Sequence, residues 1–397
     1  MNPSLDVVIV GGCGHVGVPL GLAFADRGLS VGLYDLNEDA VAQVNRGESP
    51  IGEPGCSEVL RRVLDAGRLH ATTDADAVSC AEHVVIVIGT PVDEHLNPDL
   101  NAVQAAIKDI AAHLVEGQIL VLRSTVYPGV TAMVERLVEQ KGIDVDVAFC
   151  PERIAEGNAM VELYQLPQIV AARSQRAVDR ATKLFRNLAH DVVFLEPEEA
   201  ELAKLFTNAW RYVKFATANQ LYMIANDFGL DYERIRSAVI HNYPRANDLP
   251  GAGFSAGPCL FKDTMQLAAF NNNNFQLGQA SVMINEGLPL YLVARLEQRF
   301  DLSMMTVGIL GMSFKAESDD IRSSLSYKLK RILKFKARHV LCHDPFVKAD
   351  PDLSPLDHVL TESNLLIIAT PHSAYADLHP DVPVVDIWNL RGAGVCV

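Results

Sequence analysis

Cys259, Lys262 and Asp263 stand together in a glycine-rich stretch, GAGFSAGPCLFKDT, at residues 251–264. A thiol can hold an aldehyde covalently and present it for a second oxidation, which a base and a hydride acceptor cannot do by themselves. Glycine and proline flank Cys259 and charged residues follow it. That setting suits an accessible thiol of lowered pKa better than a small buried hydrophobe. Lys204 and Asn208 lie four residues apart in a segment of helical pattern, so both project from one face about a turn apart. A lysine amine beside a reacting carbon serves as a base and, once charged, stabilises an alkoxide. Taken alone, such a pair reads as a solvated polar face, and Asp263 reads as a helix cap. Residues 150–157, CPERIAEG, follow an apolar run and carry Glu152 and Glu156 four apart.

A second group of residues addresses a dinucleotide. Gly12-Cys13-Gly14-His15-Val16-Gly17 follows a predicted strand at 7–10 and opens a helix, with Asp35 ending the next strand 21 residues after Gly14. The glycines permit a tight turn and close approach of backbone N–H groups to a pyrophosphate, and Asp35 can accept both ribose hydroxyls. Leu36 follows the acid with no Arg beside it, which favours NAD over NADP. Gly89-Thr90-Pro91 and Ser124-Thr125 each follow a predicted strand and so belong to the carboxyl edge, where ligands of such sheets bind. Each of these two, alone, is an ordinary turn.

Positioning these groups requires an α/β scaffold. Short Val/Ile-rich runs at 7–10, 30–34, 84–88, 119–122 and 145–149 alternate with amphipathic segments, the pattern of parallel βαβ units. Residues 198–228 contain no Gly or Pro, and Leu202, Phe206, Ala209, Val213 and Ile224 recur at helical spacing before Gly229. One long helix is predicted there, a spine between domains and a surface for a homodimer. Residues 230–298 stay mostly helical. The βαβ rhythm returns at 307–310, 339–342, 365–369 and 382–387, without a second GxGxxG, so the last domain is expected to bind a different nucleotide-like molecule. The expected domains are 1–197, 198–300 and 301–397.

Composition narrows the class. The 397 residues exceed what one core usually supports. A formal charge of −15 argues against nucleic acid or an anionic membrane as partner. Seven scattered cysteines without metal-ligand spacing read as reduced thiols, and neither a signal segment nor an apolar run of membrane-spanning length occurs, which points to the cytoplasm and to no metal.

In order and approximate spacing, GGCGHVG, IGTP, STVYPG, CPERIAEG, AKLFTNAWRY, GPCLFKD and GMSFKAESDDIRSS make the chain resemble the UDP-glucose/GDP-mannose dehydrogenase family over almost its whole length. The resemblance implies an N-terminal Rossmann domain, a central long-helix dimerisation domain and a C-terminal Rossmann-like domain. It implies oxidation of the C6 hydroxymethyl of a nucleotide sugar to a carboxylate with two NAD. Cys259 would capture the C6 aldehyde as a thiohemiacetal that becomes a thioester. Lys204 and Asn208 would hold and polarise the C6 oxygen, Asp263 and Thr125 would arrange a proton-transferring water, and Glu152 would be the base for thioester hydrolysis. Glu156, Lys262 and Arg322 would reach the cofactor. Arg153, Ile154, Phe254 and Lys315 would contact the sugar nucleotide, with Arg245 doing so from a partner subunit.

Departures concern the sugar rather than the chemistry. The loop reads AGPCLFKD where the glucose-type enzymes commonly have GGSCFPKD. CPER, and the spacing of fourteen from Arg245 to Cys259, look like the N-acetylhexosamine branch, whereas Lys262-Asp263 looks like the glucose and mannose branches. Trp388 stands where the family often has Arg, so either Arg391 compensates or diphosphate recognition differs, and Ser323 replaces a usual glutamate. A UDP-sugar, UDP-glucose or a UDP-N-acetylhexosamine, is the expected substrate. GDP-mannose oxidation, a single-step hydroxyacid dehydrogenase and a non-catalytic sensor of NAD or nucleotide sugars are the competing readings. The hydroxyacid enzyme would not need Cys259.

Overall fold

The computed structural model describes residues 4–89, 100–255, 257–395 and 397. The chain divides into two compact units, Met1–Phe206 and Thr207–Val397.

The first unit is built on an eight-stranded sheet: β1 Leu5–Val10, β2 Val31–Tyr34, β3 Leu69–Thr72, β4 Ala81–Ile86, β5 Ile119–Leu122, β6 Asp146–Phe149, β7 Gln168–Ala171 and β8 Val192–Leu195. Its helices are α1 Gly17–Asp26, α2 Glu38–Asn45, α3 Cys56–Asp65, α4 Leu100–Ala111, α5 Val130–Glu139, α6 Ala159–Gln165 and α7 Gln175–Phe185. The strand order is β3-β2-β1-β4-β5-β6-β7-β8, parallel except where β7 meets β6. Alternate side chains enter opposite cores: Val7 and Ile9 pack on one face, Val8 and Val10 on the other. Helices cover both faces, which is why the strands read as continuous apolar runs rather than as alternations. The order reverses between β1 and β4, and that switch point opens a ligand crevice at the carboxyl ends of the strands.

A single helix, α8 Pro197–Asp227, runs for 31 residues, and Gly229 takes the left-handed conformation just beyond it. The second unit continues with α9 Tyr232–Ile240, α10 Pro258–Phe270 and α11 Gln276–Glu297. A four-stranded parallel sheet follows, β9 Thr306–Leu310, β10 His339–His343, β11 Leu365–Ile368 and β12 Val384–Asp386, in the order β10-β9-β11-β12. Helices α12 Leu325–Lys334 and α13 Leu356–Glu362 connect these strands. The α/β reading of both ends and the long central helix agree with this architecture. Strands β3, β7 and β8, and the antiparallel step onto β7, were not visible in the apolar runs.

Candidate active site

The turn between β1 and α1 is shaped by three glycines with three different duties. A Cβ on Gly12 would stand 2.7 Å from the Ile9 carbonyl and 2.8 Å from Leu33 Cα, so this position must be bare for β1 and β2 to pack. A Cβ on Gly17 would stand 2.6 Å from the carbonyls of Gly11 and Gly12, so only glycine lets α1 begin against the turn. At Gly14 the nearest atom would be 3.8 Å away, and bare backbone is left there for a ligand to approach. Val16 caps α1 without a side-chain hydrogen bond, leaving the helix N-terminus available to an anion. Asp35 accepts from Cys13 N at 2.9 Å through Oδ2 and from Asn37 N at 3.0 Å through Oδ1. Each oxygen keeps a lone pair for a ribose hydroxyl. These residues fit NAD.

Nearby, His15 Nε2 and Glu156 Oε1 lie 3.9 Å apart, so two residues separated by 141 positions share one edge. Ser124 Oγ donates to the Ile88 carbonyl at 2.6 Å and ties the end of β5 to the segment after β4. Thr125 follows, half-buried. Thr90 and Pro91 lie outside the described residues.

Behind this edge sits a group that the sequence reading missed. Arg123 is fully buried, its guanidinium 4.7 Å from the Phe185 ring centroid. It donates to Glu152 Oε2 from Nε at 2.9 Å and from Nη2 at 2.5 Å, and to Gln168 Oε1 and the Cys150 carbonyl at 3.1 Å. Glu152 Oε1 accepts from the backbone N–H groups of Arg153 at 2.7 Å and Ile154 at 3.0 Å. Glu152 therefore fixes the backbone of two candidate substrate contacts. The Arg153 side chain donates to the Pro167 carbonyl, and burial lowers its pKa. The signal for Arg123 was a charged residue directly after the apolar run 119–122.

On α8, Glu201 is wholly buried and accepts from Gly129 N at 2.6 Å, Thr131 N at 2.8 Å and Thr131 Oγ1 at 2.6 Å. It caps α5, which begins five residues after Thr125, and stands three residues before the nearly buried Lys204. Asn208 follows one turn further on, also buried, and its Nδ2 donates to Asp263 Oδ2 at 2.5 Å. Asp263 has no solvent exposure; Lys262 Nζ lies 3.1 Å from its Oδ1 without a well-directed hydrogen bond. The structure thus brings Asn208, Lys262 and Asp263 together. Thr125, Glu152 and Lys204 belong to the first compact unit, Asn208, Cys259 and Asp263 to the second.

Cys259 is the second residue of α10, after Pro258 at the first helical position, and it is exposed. A helix N-terminus favours the thiolate. Four other cysteines are buried, and burial pushes the thiols of Cys13, Cys56 and Cys150 up to about 12 and that of Cys342 up to about 11. Those four behave as small apolar side chains.

The carboxyl edge of the second sheet carries Lys315, Arg322 and Arg391, and the segment between α9 and α10 carries Arg245 and Phe254. Lys315 lies half-buried in the segment after β9, and Arg391, half-buried, in the segment after β12. Phe254 is buried, while Arg245 is exposed with its guanidinium 5.7 Å from the Tyr243 ring centroid. Arg322 is engaged by Asp320, with Nε 2.8 Å from Oδ2. The Lys315 segment is fastened by His372, a wholly buried residue that the sequence reading also missed. Glu317 N donates to His372 Nδ1 at 3.0 Å, so the ring proton sits on Nε2, which faces Asp344 Oδ2 at 3.1 Å and Ser313 Oγ at 3.2 Å. Acid and hydroxyl share one ring nitrogen, so the trio fastens the loop and is not a charge relay. Burial alone would raise the Asp344 carboxyl, but bonds from His372 and from the Met312 and Ser313 N–H groups outweigh it and hold the group well below the usual carboxylate range.

Family models match three consecutive parts of the chain. Residues 6–189 match the NAD binding domain of the UDP-glucose/GDP-mannose dehydrogenase family, 198–287 its central domain and 308–391 its UDP binding domain. Fold and site thus define an NAD-dependent dehydrogenase. The chain belongs to the UDP-glucose/GDP-mannose dehydrogenase family, whose members are nucleotide-sugar 6-dehydrogenases. It is 30% identical to a UDP-N-acetyl-D-mannosamine dehydrogenase of Pyrococcus horikoshii, over 94% of this chain and 91% of that one. It is 31% identical to the UDP-glucose 6-dehydrogenase AglM of Haloferax volcanii, over 92% and 91%. A solved UDP-glucose dehydrogenase from Pyrobaculum islandicum superposes with a TM-score of 0.91 at 29% identity, covering 100% of this chain and 97% of that one. Among the described residues, no helix is long and apolar enough to cross a membrane.

Proposed function

We propose that the protein oxidises the C6 hydroxymethyl of a UDP-sugar to the carboxylate in two steps, with Cys259 carrying the intermediate. The observation that carries this reading is the placement of Cys259, an exposed thiol at the start of α10, four residues from the buried Asn208–Asp263 pair. NAD would supply the oxidation, one hydride going to each of two NAD bound in turn, because two hydrides separate an alcohol from an acid. Gly12, Gly14, His15, Val16, Gly17, Asp35, Thr90, Pro91, Ser124, Thr125 and Glu156 would hold it, with Lys262 and Arg322 reaching it.

Lys204 takes the hydroxyl proton and, charged, stabilises the alkoxide, while Asn208 donates to the same oxygen. Asp263 orients the Asn208 amide. The Cys259 thiolate adds to the C6 aldehyde, giving a thiohemiacetal whose oxidation leaves a thioester. Water ordered by Asp263 and Thr125 cleaves the thioester and returns the thiol. Glu152 serves this step as base once its Oε1 releases one of its two backbone hydrogen bonds.

Arg153, Ile154, Phe254, Lys315 and Arg391 contact the sugar nucleotide, with Arg245 contributed by a partner subunit. We assign domains at 1–197, 198–300 and 301–397, a cytoplasmic setting, and a homodimer on α8. Phe206, Trp210, Leu221 and Ile224 are exposed there and fall within about 60° of one helix face. Between sugars, the CPER sequence and the relatives that act on UDP-N-acetyl-D-mannosamine favour a UDP-N-acetylhexosamine. Comparing kcat/KM for UDP-N-acetylmannosamine, UDP-N-acetylglucosamine, UDP-glucose and GDP-mannose tests this. An N-acetylated sugar should lead by at least about tenfold, and preference for UDP-glucose or GDP-mannose would reassign the substrate.

A further inference from the structure

Two glycines before Cys259 rest on aromatic rings supplied by the carboxyl edge of the second sheet. A Cβ on Gly253 would lie 2.2 Å from Trp388 Cζ3 and 2.4 Å from its Cε3. A Cβ on Gly257 would lie 2.7 Å from Phe314 Cδ2, and Gly257 also has a φ of +104° that other residues rarely adopt. Phe314 belongs to the segment after β9 that carries Lys315, and Trp388 to the segment after β12 that carries Arg391.

Both rings are themselves held. Trp388 Nε1 donates to the Ala369 carbonyl at 3.1 Å and its backbone N to Asp386 Oδ1 at 3.1 Å. Its ring packs against apolar clusters on both sides of the four-stranded sheet. Gly253 is gripped from elsewhere by Asn219, which accepts from Gly253 N at 2.9 Å and donates to Gly253 O at 3.0 Å. Asn219 is buried and is fixed in turn by Asn285 at 2.9 Å. Gly253 therefore has an amide clamp and an indole wall, and neither leaves room for a side chain.

We propose that Trp388, aided by Phe314, is a positioning residue for Cys259: the two rings seat Gly253 and Gly257 and thereby fix the first turn of α10, which carries the thiol. An indole here gives up a cation at the nucleotide edge and gains a wall for the reactive loop. This inference rests on Cys259 being the residue that carries the acyl group.

The test follows Cys259 alkylation by iodoacetamide as a function of pH, read by peptide mass, beside steady-state kinetics of the full-length protein. Trp388→Ala should move the midpoint of the alkylation profile to higher pH, slow alkylation at pH 7 by about fivefold, and lower kcat about tenfold with a smaller change in the KM for sugar nucleotide. Trp388→Phe, which keeps a ring, should restore most of both. Gly253→Ala should impair kcat in the wild-type background and cost less when added to Trp388→Ala, because the wall it strikes is gone. An unchanged alkylation profile in Trp388→Ala, or strictly additive effects of the two substitutions, would overturn the proposal. Acid formation by Cys259→Ala would instead overturn the role of the thiol, and the alkylation profile would still report the ring contact.

Discussion

At the scale of single residues, Asp263 is the most constrained group of the site. Its carboxylate is wholly buried, accepts from Asn208 and faces Lys262 at 3.1 Å. Removing its charge takes the anion away from Lys262 and replaces one acceptor oxygen with a donor amide beside Asn208, while preserving size. Asp263→Asn should therefore lower kcat by about 10²- to 10³-fold and change the KM for sugar nucleotide by no more than a few-fold, measured as initial rates. A raised KM with kcat intact would make Asp263 a binding group. The residues proposed to do chemistry stand out in the sequence because cysteine, lysine and aspartate are unusual beside glycine and proline. Arg123, Glu201 and His372 do not, because each acts through partners far along the chain: Arg123 through Glu152 and Gln168, Glu201 through Gly129 and Thr131, His372 through Glu317 and Asp344. No local spacing records such pairings.

At the scale of elements, β4 contains a titratable group where a central parallel strand normally has none. His83 is buried, its Nδ1 2.9 Å from the Asp6 carbonyl, and desolvation lowers its pKa from the usual value of about 6.5, against the raising influence of that bond and of Glu82. In the unfolded chain it takes up a proton as pH falls through about 6.5, whereas in the folded chain it resists. The unfolded state then binds more protons, so stability declines as pH drops from about 6.5 toward the lower folded value. Urea midpoints at pH 7.5 and 5.5 should fall further apart in the wild type than in His83→Gln, and equal separations would remove His83 from the account. The elements themselves were unevenly legible. The strands at 7–10 and 119–122 are flanked by turn residues and buried on both faces, so their apolar runs announce them. Strand β8 has no buried residue, and β7 joins the sheet by an antiparallel pairing with β6 through Phe149 and Ala171 and a parallel pairing with β8 that composition does not encode.

At the scale of the whole molecule, the stripe on α8 asks for a cover. Trp210 is 58% exposed and Ile224 49% exposed, on one face of a 31-residue helix. A charge placed there should oppose association without touching a core, so Trp210→Asp should convert a dimer to a monomer at micromolar concentration in sedimentation velocity, with unchanged helix content. An unchanged sedimentation coefficient would move the interface elsewhere. On the proposed function, the cofactor domain, the helical centre and the UDP binding domain together serve a four-electron oxidation of one bound sugar. NADH released per mole of limiting UDP-sugar, with NAD in excess, measures that directly for the wild type and for Cys259→Ala. Two NADH from the wild type and no more than one from Cys259→Ala are predicted; two from Cys259→Ala would contradict the covalent route.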